Sequence, residues 1–174
     1  MVNRLKKVTA FSSFVWYLFI IVIFLSLTFF AFGKSLGFAL FGDDWFMFYV
    51  IDKHYGPGNE FPYLSLKGYS QPWGVMNLCL IIIRKFFDYQ IYAYFIVSIF
   101  LMIIAALAGY VFLSKFLRSK PIALLGSLFV LVGYAGIESS NYVLHMNVYL
   151  VILFVFISLT FLIDSFKEGL WKFV

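Results

Sequence analysis

The residues able to do chemistry are few, and the tightest group is the acidic pair in Phe41-Gly42-Asp43-Asp44-Trp45-Phe46-Met47-Phe48-Tyr49. Partial desolvation and mutual repulsion make one of two adjacent carboxylates a stronger base. Such a pair can act as a general base near neutral pH or hold a divalent cation through oxygen ligands. Gly-Asp-Asp ahead of an apolar stretch also fits a helix N-cap with an acidic first turn, worth about 1 kcal/mol. His54, in Asp52-Lys53-His54-Tyr55-Gly56, is either a proton-transfer group or a solvated loop imidazole. Further on, Gly136-Ile137-Glu138-Ser139-Ser140-Asn141-Tyr142 is followed by His145. Ionisable groups beside apolar spans are functional candidates because burying them is costly, although Glu138 also fits an exposed loop charge. Arg84 and Lys85 suit pairing with a lipid phosphate, or simple snorkelling to the membrane surface. No phosphate-binding glycine loop, His-Glu-x-x-His zinc helix, CxxC pair or nucleophile elbow occurs.

What must position these residues is a set of membrane helices. The chain has 174 residues, 64% of them hydrophobic and only 12% charged, with a mean hydropathy of +0.98. A globular domain carries about twice that share of charge, so a water-soluble monomer, a disordered chain and a disulfide-stapled scaffold are all excluded. Cys79 is the single cysteine, and the net charge of +5 comes without the basic patch and interleaved aromatics of a nucleic-acid binder. The 24 Phe, 12 Tyr and 4 Trp suit lipid contact and interfacial belts.

A crossing helix needs about 20 apolar residues. The sequence predicts an all-α polytopic membrane protein with four spans, at residues 8–33, 91–113, 121–137 and 143–163. Residues 34–90 form a large first external loop with interfacial helices. Pro72 to Phe87 is apolar but covers only about 24 Å, short of the roughly 30 Å hydrocarbon core. Asn77, Arg84 and Lys85 share a helical face there, which suits a helix lying in the interface. If this segment does not cross, Arg4/Lys6/Lys7, Lys115/Arg118/Lys120 and Lys167/Lys172 all fall on one side. The positive-inside rule makes that side cytoplasmic. Asp43, Asp44, Asp52, Glu60 and Glu138 then lie outside.

This order of features resembles the N-terminal module of GT-C class integral-membrane glycosyltransferases, which use polyprenyl-phosphate sugars. Protein mannosyltransferases and aminoarabinose transferases of lipid A belong to that class. The resemblance rests on the acidic pair Asp43-Asp44 after the first span, the short helix opened by Gln71-Pro72-Trp73-Gly74, and the basic turn from Lys115 to Lys120. Glu138 in a second external loop completes it. It implies transfer of a sugar from a lipid-phosphate donor to an acceptor on the non-cytoplasmic face of the cell or inner membrane. Asp43 would be base toward the acceptor or metal ligand, supported by Asp44. Glu138, His145, Arg84, Lys85 and His54 would be substrate contacts. The resemblance fixes no cofactor, though it allows a divalent cation at Asp43 and Asp44; the lipid-linked donor, the bilayer and the remainder of a longer or split enzyme would be the partners, with no nucleic acid. Many members carry an arginine at the outer start of the second span, where this chain reads Gln90-Ile91-Tyr92-Ala93-Tyr94-Phe95. Members are also several hundred residues long, so the resemblance implies a fragment or one part of a split enzyme.

Two other classes compete. A non-enzymatic membrane subunit would use Ala105, Ala106, Ala108 and Gly109 as a helix-packing face for partners. A transporter fragment would place charges or broken helices at mid-membrane, and the long apolar spans hold none.

Overall fold

The computed structural model describes residues 2–37, 49, 74–132 and 146–169, with side chains of the first helix from Phe14 onward. The described secondary structure is all helical. Helix α1 spans Val2–Phe32 and runs into a 3-10 turn, Gly33–Gly37. Helix α2 is Gly74–Phe87, α3 is Ile91–Leu117, α4 is Lys120–Val132 and α5 is Met146–Glu168. Three of them, within α1, α3 and α5, are long and apolar enough to cross a membrane, and α4 is a shorter apolar helix. The predicted spans at 8–33, 91–113 and 143–163 thus correspond to continuous helices, each extended at one end or both. The predicted span at 121–137 corresponds to α4, whose 13 residues cover about 20 Å; residues 133–137 lie outside the described part.

Burial explains the arrangement. Along α1 the buried residues are Ile20, Phe24, Thr28 and Phe32, a single stripe at i+4 spacing, while Phe14, Leu18, Val22, Leu25 and Phe29 are exposed. On α4 the buried positions Ala123, Ser127 and Leu131 repeat the same spacing. Helix α3 differs, with ten buried residues, nine of them spread over about half its circumference. It is the central post, and α1, α4 and α5 each lay one stripe against it. The remaining faces are apolar and uncovered, as a lipid environment requires and water would penalise.

Side-chain pairs along α3 fix the directions of its neighbours. Trp16, midway along α1, meets Tyr110 in the last third of α3, whereas Leu25, Thr28 and Phe29 adjoin Ile96, Ile99 and Phe100. The two helices are antiparallel. Helix α5 runs the other way: Met146 packs with Tyr94 and Phe95, Phe156 sits on Gly109, and Asp164 reaches Lys115. It is therefore parallel to α3. Between Leu117 and Met146 the chain must return the full distance from the Lys115 end to the Tyr94 end, and α4 begins that return.

Small residues permit the close approach. The position a Cβ would take on Gly109 lies 2.9 Å from Cε2 of Phe156, whose ring sits 5.6 Å from that of Phe112. The corresponding position on Gly126 lies 2.7 Å from Cδ1 of Leu113. Ala105, Ala106 and Gly109 are all buried within the chain's own bundle. Of the face predicted to serve a partner helix, these three positions are occupied from inside and Ala108 is half-buried.

Candidate functional site

Most residues singled out from sequence, namely Asp43, Asp44, His54, Glu138 and His145, lie outside the described part of the chain. Arg84 and Lys85 lie within it. Both are in the last turn of α2, where cations complement the helix dipole. Helix α2 is strongly amphipathic. Leu80 and Ile83 are buried against Tyr94, Phe95 and Met146, whereas Leu78, Ile82 and Phe86 are exposed, and Arg84 and Lys85 fall on the remaining side. Its 14 residues span about 21 Å. The cluster that holds it reaches along α3 only from Ile91 to Leu101, and also includes Leu36 beyond α1. Helix α2 therefore sits at the Tyr94 end of the bundle.

The turn between α2 and α3 is tightly built. Asp88 adopts φ 50°, a left-handed conformation that aspartate tolerates better than most residues. Its amide donates to the Arg84 carbonyl at 2.7 Å, and its own carbonyl accepts from the buried Tyr94 hydroxyl at 2.7 Å. The Arg84 guanidinium lies over the Tyr89 ring, 4.5 Å from its centroid, and donates to the Tyr89 hydroxyl at 2.7 Å. Tyr92 donates to Gln90 Oε1 at 2.5 Å. Where the resembled family places an arginine at the start of the second span, this chain has a cation seven residues before Ile91, at the end of the preceding helix. Lys85 is exposed.

Polar groups without partners concentrate at the same end. Among the described residues, the buried side-chain atoms with no hydrogen bond are Thr28 Oγ1, Ser98 Oγ and Asn147 Oδ1. All three belong to the half of the bundle that holds Tyr94. Orphaned buried polar atoms are rare and call for an explanation such as a ligand or solvent. In the other half the polar groups are matched: Trp16 Nε1 donates to Tyr110 at 2.6 Å, and Thr160 donates to the Phe156 carbonyl at 2.7 Å.

At the opposite end, Lys115 and Asp164 form an ion pair of 2.6 Å, with side chains 35% and 39% exposed. A pair so exposed contributes about 1 kcal/mol or less. Its consequence is positional, because it ties the end of α3 to the end of α5. Lys120 and Pro121 adjoin Val15, Trp16 and Phe19 of α1, so the basic turn lies beside the first half of α1. Arg118 closes α3 in the left-handed conformation, φ 54°. Asp164 escaped the sequence reading because it lies one residue beyond the predicted last span and no local motif marks it. Thr28 escaped because one hydroxyl in a long apolar run changes neither hydropathy nor helical pattern.

Among the described residues no group of three or more His, Cys, Asp or Glu side chains converges as a metal site, and the predicted cation ligands Asp43 and Asp44 are not among those residues. What the described site offers is an amphipathic helix with two cations at the bundle end where unpaired polar atoms collect. No protein family, curated protein or solved structure matches the chain.

Proposed function

We propose that this chain is a four-span membrane module of a glycosyltransferase that takes a sugar from a polyprenyl-phosphate donor and passes it to an acceptor on the non-cytoplasmic face. The observation that carries the reading is the asymmetry of the bundle. Unpaired buried polar atoms and the Arg84/Lys85 pair gather at the Tyr94 end, and Leu36 and Met146, near the described ends that border the segments holding Asp43, Asp44 and His145, pack there as well. The four-span topology is supported by the parallel course of α3 and α5, because two crossings in one direction require a return between them. The cytoplasmic assignment of the Lys115 end is supported by the positive-inside rule, with Lys115, Arg118, Lys120 and Lys167 all at that end.

In this reading Asp43 removes or orients the acceptor hydroxyl proton as the phosphate leaves the anomeric carbon, with Asp44 beside it or sharing a divalent cation. Glu138, His145 and His54 face the same substrate, and Arg84 and Lys85 attract the donor phosphate. The competing subunit reading would need a different face for its partner, because Ala105, Ala106 and Gly109 pack within the chain.

The test is transfer from a radiolabelled polyprenyl-phosphate sugar in membranes of the source organism carrying Asp43→Asn or Asp44→Asn. General-base removal costs about 10²–10⁴-fold, so transfer should fall by at least about 100-fold in the Asp43 variant. Transfer at the wild-type rate in both variants removes the proposed roles.

A further inference from the structure

We infer that the groove between α1 and α3 is a specific site for one bilayer phospholipid with a net negative headgroup. The groove encloses about 220 Å³ and is lined by Leu25, Thr28, Gly33 and Leu36 on one side and Ile99 and Ile103 on the other. Its walls are hydrocarbon except for one group. Thr28 is only 2% exposed, yet its Oγ1 has no hydrogen-bond partner. A buried hydroxyl in an apolar site is costly unless something accepts from it.

A complementary charge stands beside the end of the groove that Gly33 and Leu36 line. Lys34 stands in the 3-10 turn between the lining residues Gly33 and Leu36. It is exposed, and it forms no ion pair among the described residues. Along the axis it lies about 10 Å above Thr28, taking about 1.5 Å per α-helical residue and about 2.0 Å per 3-10 residue. The headgroup layer on one side of a bilayer is about 5–8 Å thick, and a lysine stem adjusts its height by snorkelling. The spacing therefore matches a phosphate on Lys34, an ester carbonyl accepting from Thr28, and one acyl chain between Leu25, Ile99 and Ile103. The inference rests on Lys34 and Thr28 and uses none of the residues assigned to sugar transfer, so it stands apart from the transferase reading.

The groove can be blocked without breaking the fold. A Cβ on Gly33 would meet only the Phe29 ring, at 3.7 Å, so Gly33→Leu projects into the acyl-chain space at ordinary contact distance. The experiment is native mass spectrometry of the purified full chain, released from detergent after incubation with phosphatidylglycerol, phosphatidylcholine or diacylglycerol. Wild type should retain one phosphatidylglycerol, at least about threefold more often than phosphatidylcholine, and no diacylglycerol, as expected for a charge-assisted contact. Lys34→Gln should abolish the preference between the two phospholipids. Thr28→Val, which keeps the shape, should lower retention of both by about three- to tenfold, the span of one lost hydrogen bond. Gly33→Leu should retain neither. Wild-type retention in Lys34→Gln and Thr28→Val would overturn the site, as would equal capture of diacylglycerol. Preferential capture of a polyprenyl phosphate over phosphatidylglycerol would overturn the assignment to a bilayer phospholipid. If Gly33→Leu does not fold, the other two variants still decide.

Discussion

Gly109, buried, and Gly126, half-buried, look alike in sequence but should answer substitution differently. At Gly109 a methyl group would fall 2.9, 3.3 and 3.4 Å from three ring atoms of Phe156, and that ring is flanked by Phe112 of the same helix as Gly109, at 5.6 Å. A planar ring with such a neighbour has to move as a body. Overpacking of this kind costs about 1–3 kcal/mol, and replacing glycine by alanine inside a helix returns about 0.8–1.0 kcal/mol. Gly109→Ala should therefore lose about 1 kcal/mol, with an upper bound near 2. At Gly126 the close neighbour is one methyl of Leu113, at 2.7 Å, with the next atom at 3.9 Å. A single rotation of that side chain, costing about 0.5–1.5 kcal/mol, clears it, so Gly126→Ala should fall within about 0.5 kcal/mol of wild type. The assay is reversible unfolding in mixed micelles with a rising mole fraction of denaturing detergent. Shrinking the ring should rescue the first variant, so Phe156→Leu with Gly109→Ala should show coupling of about 1 kcal/mol. Wild-type stability of Gly109→Ala together with no coupling would mean that α3 and α5 do not meet through this glycine. The parallel pairing of those helices would then lose its main contact.

Two further outcomes follow from individual contacts. Tyr110→Phe removes the acceptor of the Trp16 indole at 2.6 Å and should cost about 0.6–1.7 kcal/mol in the same assay, the range of interhelical hydrogen bonds in membranes; Trp16→Phe in that background should cost little more. Burial pushes the Cys79 thiol above its ordinary value, so less of it is thiolate, the reactive form, at pH 7. Maleimide should label Cys79 more slowly at pH 7 than a cysteine introduced at the exposed Lys85, in a background where Cys79 is serine, and the rate should still be climbing at pH 9. Equal rates at pH 7 would contradict the burial.

How far the fold was legible in the sequence depended on whether a feature was local. Apolar length alone located α1, α3 and α5, because a run such as Ile91 to Leu113 has no soluble alternative. The charges of Arg84 and Lys85 against the apolar side of α2 announced an amphipathic helix. Pairing was not legible. Nothing near Gly109 states that Phe156, nearly fifty positions on, fills the space above it, and the small-residue face was therefore assigned to a partner. Lys115 and Asp164 are separated in the same way. The groove at Thr28 exists only once α1 is laid against α3. Of the candidate site, Arg84 was recognised as a cation at the membrane surface, but its clamp on Tyr89 depends on a left-handed turn at Asp88 that a single aspartate does not announce.

The most direct test of the account asks on which side of the membrane the acidic segment lies. With Cys79→Ser as background, Glu60→Cys and Arg118→Cys are treated in intact cells with a membrane-impermeant maleimide, before and after permeabilisation. The account predicts labelling at position 60 from outside and at position 118 only after permeabilisation, because α2 stays at the bundle end and α3 crosses once between the two positions. Labelling of both from the same side would mean that α2 crosses as well, and the acidic pair would no longer face a donor at the outer surface together with the Tyr94 end of the bundle.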